Sequence, residues 1–276
     1  MIGLDDLRAV RLERDGAVAT VVLDRPERLN AWTGRMHREY LHVLATLEAD
    51  PEVRAVVVTG TPPAFCVGGD SEALAGHAER GAYDDGLSGE LARPAADRPA
   101  RLDADFAFQF ALRLPVIAAV NGACAGVGLA LALFCDLRFG SATAKLTTAA
   151  PKLGLPAEYG MSWQLPRLVG LTRATDLLLS GRVFTPAETE GWGLWNGVEA
   201  DGPATLAAAQ GYAHHLAHQV GPNALATTKH QIADDLLHHS PAAAIDEAQR
   251  LLRDAMTTAE YREGVTALRE KRTPRF

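Results

Sequence analysis

A glycine-rich turn between two apolar segments contains the first residues that can do chemistry. The segment Val116–Val120 before it is apolar, short and β-branched, which is typical of a strand buried on both faces. Gly126, Val127 and Gly128 form the turn, and an apolar helix is predicted over residues 129–134. A strand, a tight turn and a helix N-terminus leave backbone N–H groups without partners. Such donors bind phosphate or stabilise an oxyanion on an acyl group.

A second glycine turn lies upstream, at Gly68 and Gly69, after a predicted buried strand over residues 54–59. In a layered fold, the amides of Gly69 and Val127 can converge on one carbonyl oxygen. The central spacing, G-x-x-x-G-x-G, is neither the dinucleotide-binding fingerprint nor a phosphate loop ending in Gly-Lys-Ser/Thr. For each turn alone, a tight connection between a strand and a helix is the structural alternative.

Histidine and nucleophile motifs are the alternative candidate sites to the glycine turns. His214 and His218 stand four residues apart on a predicted helix, a spacing that can hold a metal ion. They lie in a stretch rich in Ala, His and Gln without a nearby carboxylate, which favours a solvated helix face. No serine or cysteine lies in a recognisable nucleophile motif. The sequence therefore predicts neither a metal site nor covalent catalysis.

The elements that position the two turns alternate between strands and helices. A strand is predicted over residues 17–23, a helix from Thr33, and the next strand over residues 54–59, so the order β, α, β predicts a layered α/β fold. From about residue 203 the chain is helical and rich in alanine. We therefore expect a core over residues 1–201 and a C-terminal helical region over residues 202–276.

Residues 75–101 are rich in Gly, Ala, Pro and charged residues and contain few large apolar ones. They are interpreted as a long surface loop. A loop of this length inside a compact domain is either a mobile substrate lid or a solvated insertion without function.

Bulk properties exclude several classes of protein. With 276 residues, 47% of them hydrophobic, the chain can bury a large core, and its net charge of −7 argues against a nucleic-acid surface. The three cysteines, Cys66, Cys124 and Cys135, lie in apolar surroundings and suit reduced thiols. No secretory signal is visible, and no apolar run is long enough to span a bilayer. We expect a soluble, cytoplasmic protein that binds no membrane.

Several ordered motifs resemble the enoyl-CoA hydratase/isomerase (crotonase) superfamily over nearly the full chain. They are D-R-P-E-R-L-N-A at residues 24–31, A-F-C-V-G-G-D at 64–70, P-V-I-A-A-V-N-G-A-C-A-G-V-G-L-A-L-A with C-D-L-R at 115–138, L-G-L-P-A-E-Y-G-M-S-W-Q-L-P-R-L-V-G at 153–170, and E-G-V-T-A-L-R-E-K-R-T-P-R-F at the C-terminus. The resemblance implies an α/β spiral of ββα units with a C-terminal helical region that forms a homotrimer or a dimer of trimers. It also implies an acyl-CoA thioester as substrate, and no metal or redox cofactor.

The resemblance also implies which residues form the site. The oxyanion-hole amides of the family fall on Gly69 and Val127; many members have glycine where this chain has Val127, whose N–H serves if it adopts helical angles. The backbone facing the CoA adenine falls near residues 28–31, from Arg28 to Ala31. Residues 66–68, from Cys66 to Gly68, complete that surface.

Lys271 resembles a family lysine near the CoA phosphates, of its own or of a neighbouring subunit. Its alternative is a cation at the C-terminus of a helix.

The chain departs from the family pattern at two acids. Hydratases of the family carry two catalytic glutamates, which align with Ala130 and Ala150 here, so water addition by a glutamate pair is not expected. Glu158 resembles the single glutamate of the peroxisomal-type Δ3,Δ2-enoyl-CoA isomerases. Its alternative role is to cap the helix predicted near Ser162. Tyr159 and Trp163 follow Glu158 in the chain. They either shape the acyl pocket or pack in the core, and the sequence favours neither interpretation.

We therefore predict an enzyme that stabilises a thioester enolate and moves a double bond with one base. One rival is a hydratase that uses Glu158, Asp70 or Glu72 with a water molecule. The other is a catalytically silent acyl-CoA-binding protein, a hypothesis that is consistent with alanine at both predicted glutamate positions.

Overall fold

The structure is a computed structural model that describes residues 7–70, 104–237 and 241–276, with the single residues 4, 72 and 102. The interpretation of residues 75–101 as a surface loop lies outside the described residues.

Nine strands of the described chain form two sheets. The larger sheet has the order β1-β2-β3-β5-β7-β9, and the smaller has the order β4-β6-β8. Every described pair of strands is parallel except β1 with β2. The strands are β1 (Val10–Asp15), β2 (Val18–Leu23), β3 (Ala55–Gly60), β4 (Ala64–Cys66), β5 (Val116–Val120), β6 (Ala123–Ala125), β7 (Leu137–Ser141), β8 (Leu146–Thr147) and β9 (Gly197–Glu199).

The described helices lie between and after these strands. In chain order they are α1 (Gly34–Ala49), α2 (Val127–Leu133), α3 (Met161–Val169), α4 (Leu171–Ser180), α5 (Gly202–Gln219), α6 (Pro222–Asp235), α7 (Pro241–Ala255) and α8 (Ala259–Glu270). None of the described helices is long and apolar enough to cross a bilayer.

Successive turns of the chain contribute one strand to each sheet. β3 continues into β4, β5 into β6, and β7 into β8, so the chain advances along both sheets at once. The glycine turn after β6 leads into α2. This arrangement confirms the predicted α/β spiral of ββα units, with a C-terminal helical region after it.

The larger sheet has apolar packing on both faces. One face packs on α1, α2 and α3 in the main core, while alternate residues of the same strands form a second cluster with α5. The residues of α5 in that cluster are Ala209, Ala213 and Ala217, each 0% exposed. Small side chains at this spacing let a helix lie close to a sheet.

The predicted boundary near Gly202 coincides with the start of α5. The Asp201 carboxylate accepts a hydrogen bond from the Ala204 N–H at 2.8 Å and caps the helix. Because α5 packs on the sheet, this part of the helical region shares a core with the strands. The division into two units and the trimer stay predictions.

The edge strand β1 was not predicted, because its sequence, V-R-L-E-R-D, is mostly polar. Glu39 of α1, 0% exposed, holds the segment before it in place. Its carboxylate accepts hydrogen bonds from the N–H groups of Ala9 at 2.7 Å and Val10 at 3.0 Å, and from Arg35 Nε at 2.6 Å. A buried carboxylate thus replaces a neighbouring strand as the acceptor for these amides.

We predict that Glu39→Ala lowers the free energy of unfolding by about 2–4 kcal/mol, because buried N–H groups lose their acceptor. Urea denaturation measures the change. Glu52→Ala, at an exposed position, is the matched control and is expected to change it by less than about 0.5 kcal/mol. Equal effects of the two substitutions would contradict the role of Glu39.

Candidate active site

The turn after β4 is held by one residue of a distant segment. The Trp32 N–H donates to the Gly68 carbonyl oxygen at 2.8 Å, and the Asp70 N–H donates to the Trp32 carbonyl oxygen at 3.0 Å. Peptide groups alternate in direction along extended chain, so the Gly69 N–H points away from Trp32. Within the described residues it has no hydrogen-bond acceptor. Gly68 takes φ +103°, which side chains rarely permit.

The turn after β6 exposes the start of α2. Gly126, with φ 48° and ψ −120°, adopts a conformation that suits only glycine, and its carbonyl oxygen accepts the first helical bond from the Ala130 N–H at 3.0 Å. Val127 is already helical, as the predicted donor role required. In the described part of the chain, no acceptor faces the Val127 N–H. The helix begins two residues earlier than predicted.

The two turns and one acid meet at the end of the smaller sheet. β4 and β6 pair in parallel, with Ala64 opposite Ala123, so both chains leave the sheet at the same edge. A Cβ atom placed on Gly126 would lie 3.8 Å from the Gly68 Cα and 3.9 Å from Glu158 Oε2. The structure therefore brings together the glycine turns and the carboxylate of Glu158.

The side chain of Glu158 is half-buried, and burial raises the pKa of its carboxyl group. The alternative role as a helix cap is wrong. Gly160 occupies the N-cap position of α3, and no side chain caps this helix. The Glu158 backbone carbonyl accepts a hydrogen bond from the Met161 N–H at 3.0 Å, which leaves the carboxylate for other contacts.

Ala130 and Ala150, which are predicted to align with the hydratase glutamates, are both buried. They are 0% and 1% exposed, and each presents only a methyl group. Neither position can transfer a proton.

Asp70, the acid of one rival prediction, is the centre of an ion-pair cluster. Its carboxylate accepts hydrogen bonds from Arg25 Nη1 and Arg28 Nη2, both at 3.1 Å, and from the Glu72 N–H at 3.0 Å. Burial raises the pKa of Asp70, but these hydrogen bonds outweigh burial and hold it below its ordinary value. Asp70 is thus suited to hold arginines rather than to carry a proton, and Glu72 is largely exposed.

The segment predicted to face the CoA adenine is tied to the same cluster. Arg28 ends a short 3₁₀ turn, and the Ala31 carbonyl oxygen accepts a hydrogen bond from Arg25 Nη1 at 2.7 Å. Asn30, at φ 57°, donates through Nδ2 to the Ala64 carbonyl oxygen at 2.8 Å, which attaches the loop to β4. This anchor had no local sequence signal, because its partner lies in a distant segment.

The other predicted CoA-facing residues have separate outcomes. Cys66 and Gly68 lie on β4 and the turn that follows it, and burial raises the pKa of the Cys66 thiol to about 12, so it is not a thiolate. Lys271 is exposed and lies one residue beyond α8, at φ 55°. No contact among the described residues joins Lys271 to the glycine turns. All these CoA contacts stay predictions.

His218 is exposed and His214 is partly buried, and a carboxylate that the sequence analysis did not predict lies beside His214. His214 and His218 stack their rings at 5.8 Å, and His214 Nε2 lies 3.1 Å from Asp15 Oδ2. No cluster of three or more potential metal ligands occurs within the described ranges.

The chain is similar to known proteins over nearly its whole length. A family model described as "Enoyl-CoA hydratase/isomerase" matches residues 13–276. The chain is 35% identical over 266 residues to the 1,2-epoxyphenylacetyl-CoA isomerase of Escherichia coli (strain K12), covering 94% of each chain. It is 31% identical over 272 residues to a probable enoyl-CoA hydratase, echA8, of Mycobacterium tuberculosis, covering 97% of each. A solved structure of a probable enoyl-CoA hydratase/isomerase from Mycobacterium abscessus has a TM-score of 0.84 at 32% identity, covering 97% of this chain and 98% of that chain.

We predict that Gly128→Ala separates the two turns. A Cβ atom there would collide with the Cys66 carbonyl oxygen and lie 2.7 Å from the Cys66 Cβ, so α2 must move away from β4. The free energy of unfolding should fall by about 1–3 kcal/mol, and calorimetry should show weaker binding of an acyl-CoA thioester.

Gly211→Ala is the control for that substitution. Gly211 is exposed on α5 with nothing within 4 Å of an added Cβ, so alanine should stabilise the helix by about 0.5–1 kcal/mol. A Gly128→Ala protein with the stability and affinity of the wild type would contradict the close packing of α2 on β4.

Proposed function

The chain belongs to the enoyl-CoA hydratase/isomerase family, and we propose that it isomerises 3-enoyl-CoA thioesters to 2-enoyl-CoA thioesters with Glu158 as its single base. The observation that carries this proposal is the position of the Glu158 carboxylate beside the turns that contain Gly69 and Val127. One acid next to two backbone donors suits a reaction in which one proton changes place.

The proposed reaction has two proton transfers through one enolate. Glu158 removes a proton from C2, and the electron pair of that C–H bond moves onto the thioester carbonyl to form an enolate. The N–H groups of Gly69 and Val127 donate to the enolate oxygen. Glu158 then returns the proton at C4 while the double bond shifts from C3–C4 to C2–C3. Atoms and electrons balance without another reactant.

The magnitudes fit this division of roles. A backbone donor aimed at a developing oxyanion contributes about 3–4 kcal/mol of transition-state stabilisation in comparable sites. A positioned general base adds a factor of about 10²–10⁴ in rate. Because burial raises the pKa of Glu158, the carboxylate is a stronger base than an exposed glutamate.

The hydratase alternative lacks its second acid. Relatives carry names of both kinds, an isomerase of a CoA thioester and probable enoyl-CoA hydratases. Ala130 and Ala150 remove the glutamate pair, and Asp70 is held by two arginines. These three positions favour proton transfer by one base over the addition of water.

We predict that Glu158→Gln lowers kcat for 3-enoyl-CoA by a factor of about 10²–10⁴, because the amide cannot accept the C2 proton. Exchange of the C2 protons with deuterated solvent should fall by a similar factor. Glu190→Gln makes the same chemical change at an exposed position and is expected to leave both rates unchanged.

Three results would contradict the proposal in different ways. Equal turnover by wild type and Glu158→Gln would exclude Glu158 as the base. Formation of 3-hydroxyacyl-CoA from trans-2-enoyl-CoA as the main activity would identify a hydratase. Binding of acyl-CoA without any deuterium exchange would identify a silent binding protein.

The pH dependence gives a second test. The base acts only when ionised, and burial favours the neutral carboxyl, so kcat/KM should rise with pH through a pKa above the ordinary value for glutamate. A pH–rate profile of the wild type measures this acid limb. A limb at or below the ordinary glutamate pKa would contradict the assignment.

A further inference from the structure

An aromatic cleft opens beside the segment that carries Glu158. Its volume is about 480 Å3. We call it the aromatic cleft and define it by the rings of Phe110, Phe134, Tyr159 and Trp163, together with Leu102 and Leu237 at its sides. The chain passes from Glu158 directly into its wall at Tyr159.

Three of the four rings, those of Phe110, Phe134 and Trp163, pack against one another in one wall of the cleft. Phe134 and Trp163 stack with planes 11° apart and centroids 6.4 Å apart, and Phe110 meets Phe134 at 5.5 Å. The guanidinium of Arg167 lies 3.9 Å from the centre of the Trp163 ring, and its Nη1 donates to the Trp163 carbonyl oxygen at 2.6 Å. These contacts fix the orientation of the indole.

Gly160 brings the backbone that follows Glu158 into contact with the ring of Phe134. A Cβ atom on Gly160, which has φ +70°, would lie 3.0 Å from Cζ of Phe134. The backbone two residues after Glu158 therefore lies directly on the Phe134 ring. On the other side, Tyr159 packs against Phe106 at 5.6 Å. Because its wall begins one residue after Glu158, the cleft is the candidate site for the part of an acyl group that lies beyond the reacting carbons.

We propose that the acyl group of the natural substrate ends in a six-membered carbon ring. This inference rests on the proposed function and names its substrate class. A ring fits an apolar cleft lined by rings and has few rotatable bonds to immobilise, whereas a linear chain loses more conformational freedom on the same surface. Asp105 also lines the cleft, which disfavours acyl groups that end in a carboxylate.

On such a substrate the reaction consists of the same two proton transfers. In cyclohex-1-enylacetyl-CoA the double bond joins C3 and C4, and both carbons belong to the ring. Removal of a C2 proton and its return at C4 forms cyclohexylideneacetyl-CoA, with no oxidant, reductant or water consumed.

The experiment compares two eight-carbon substrates, cyclohex-1-enylacetyl-CoA and trans-3-octenoyl-CoA. Exchange of the C2 protons with deuterated solvent is followed for both, so that the position of equilibrium does not affect the readout. We expect kcat/KM for exchange to be about tenfold higher for the ring substrate, because the linear chain has more rotatable bonds to immobilise.

Substitution of the wall tests its role. Trp163→Leu should lower the ratio of the two kcat/KM values about fivefold or more, because it removes the indole from the cleft and a rigid ring adapts to the wider space less well than a flexible chain. Trp192→Leu is the matched control, since Trp192 is also partly buried with an arginine, Arg173, 4.9 Å from its ring. It should leave the ratio unchanged. If Trp163→Leu fails to fold by thermal denaturation, Trp163→Phe replaces it and should keep most of the preference.

The outcomes separate this inference from the proposed function. If neither substrate exchanges, the proposed function fails, and this inference fails with it. If both exchange and the linear substrate is equal or faster, the proposed function stands and the ring preference is wrong. An unchanged ratio in a folded Trp163→Leu protein would also overturn the role of the aromatic cleft.

Discussion

The parallel pairing of β4 with β6 is the constraint on which the candidate site depends. Each strand has only three residues, yet their ends determine where both glycine turns lie. The pairing is possible because glycine stands at the points of closest approach. A Cβ atom on Gly122 would lie 3.0 Å from the Ala64 Cα, and one on Gly128 would lie 2.7 Å from the Cys66 Cβ. Side chains there would force the two turns apart.

Two carboxylates near these turns show how surroundings divide chemical roles. Asp70 accepts hydrogen bonds from two arginines and a backbone amide, and its pKa stays low. No ion pair or hydrogen bond to the Glu158 carboxylate occurs in the described part of the chain, so burial alone acts on Glu158 and raises its pKa. The first carboxylate stabilises a loop, while the second is suited to exchange a proton.

One predicted helix needed correction at its start and three strands were not predicted, each for a local reason. α2 begins at Val127 rather than at residue 129, because the unusual conformation of Gly126 completes the turn within one residue. β1 was missed because its edge position tolerates polar residues, and β6 and β9 are too short to show a period. Long apolar segments such as β3, β5 and α1 carried enough residues for their patterns to predict them.

The sequence by itself determined the alternation of strands and helices, the family and the two glycine turns, and it predicts alanine in place of the usual glutamate pair. These features depend on residue types at local spacings, which pattern and motif report directly. Only the tertiary structure decided that Gly68, Gly126 and Glu158 meet, that Asp70 is bound by two arginines, and that aromatic rings from three segments line one cleft. Those contacts join residues far apart in the chain, and their distances depend on how the two sheets and the helices pack.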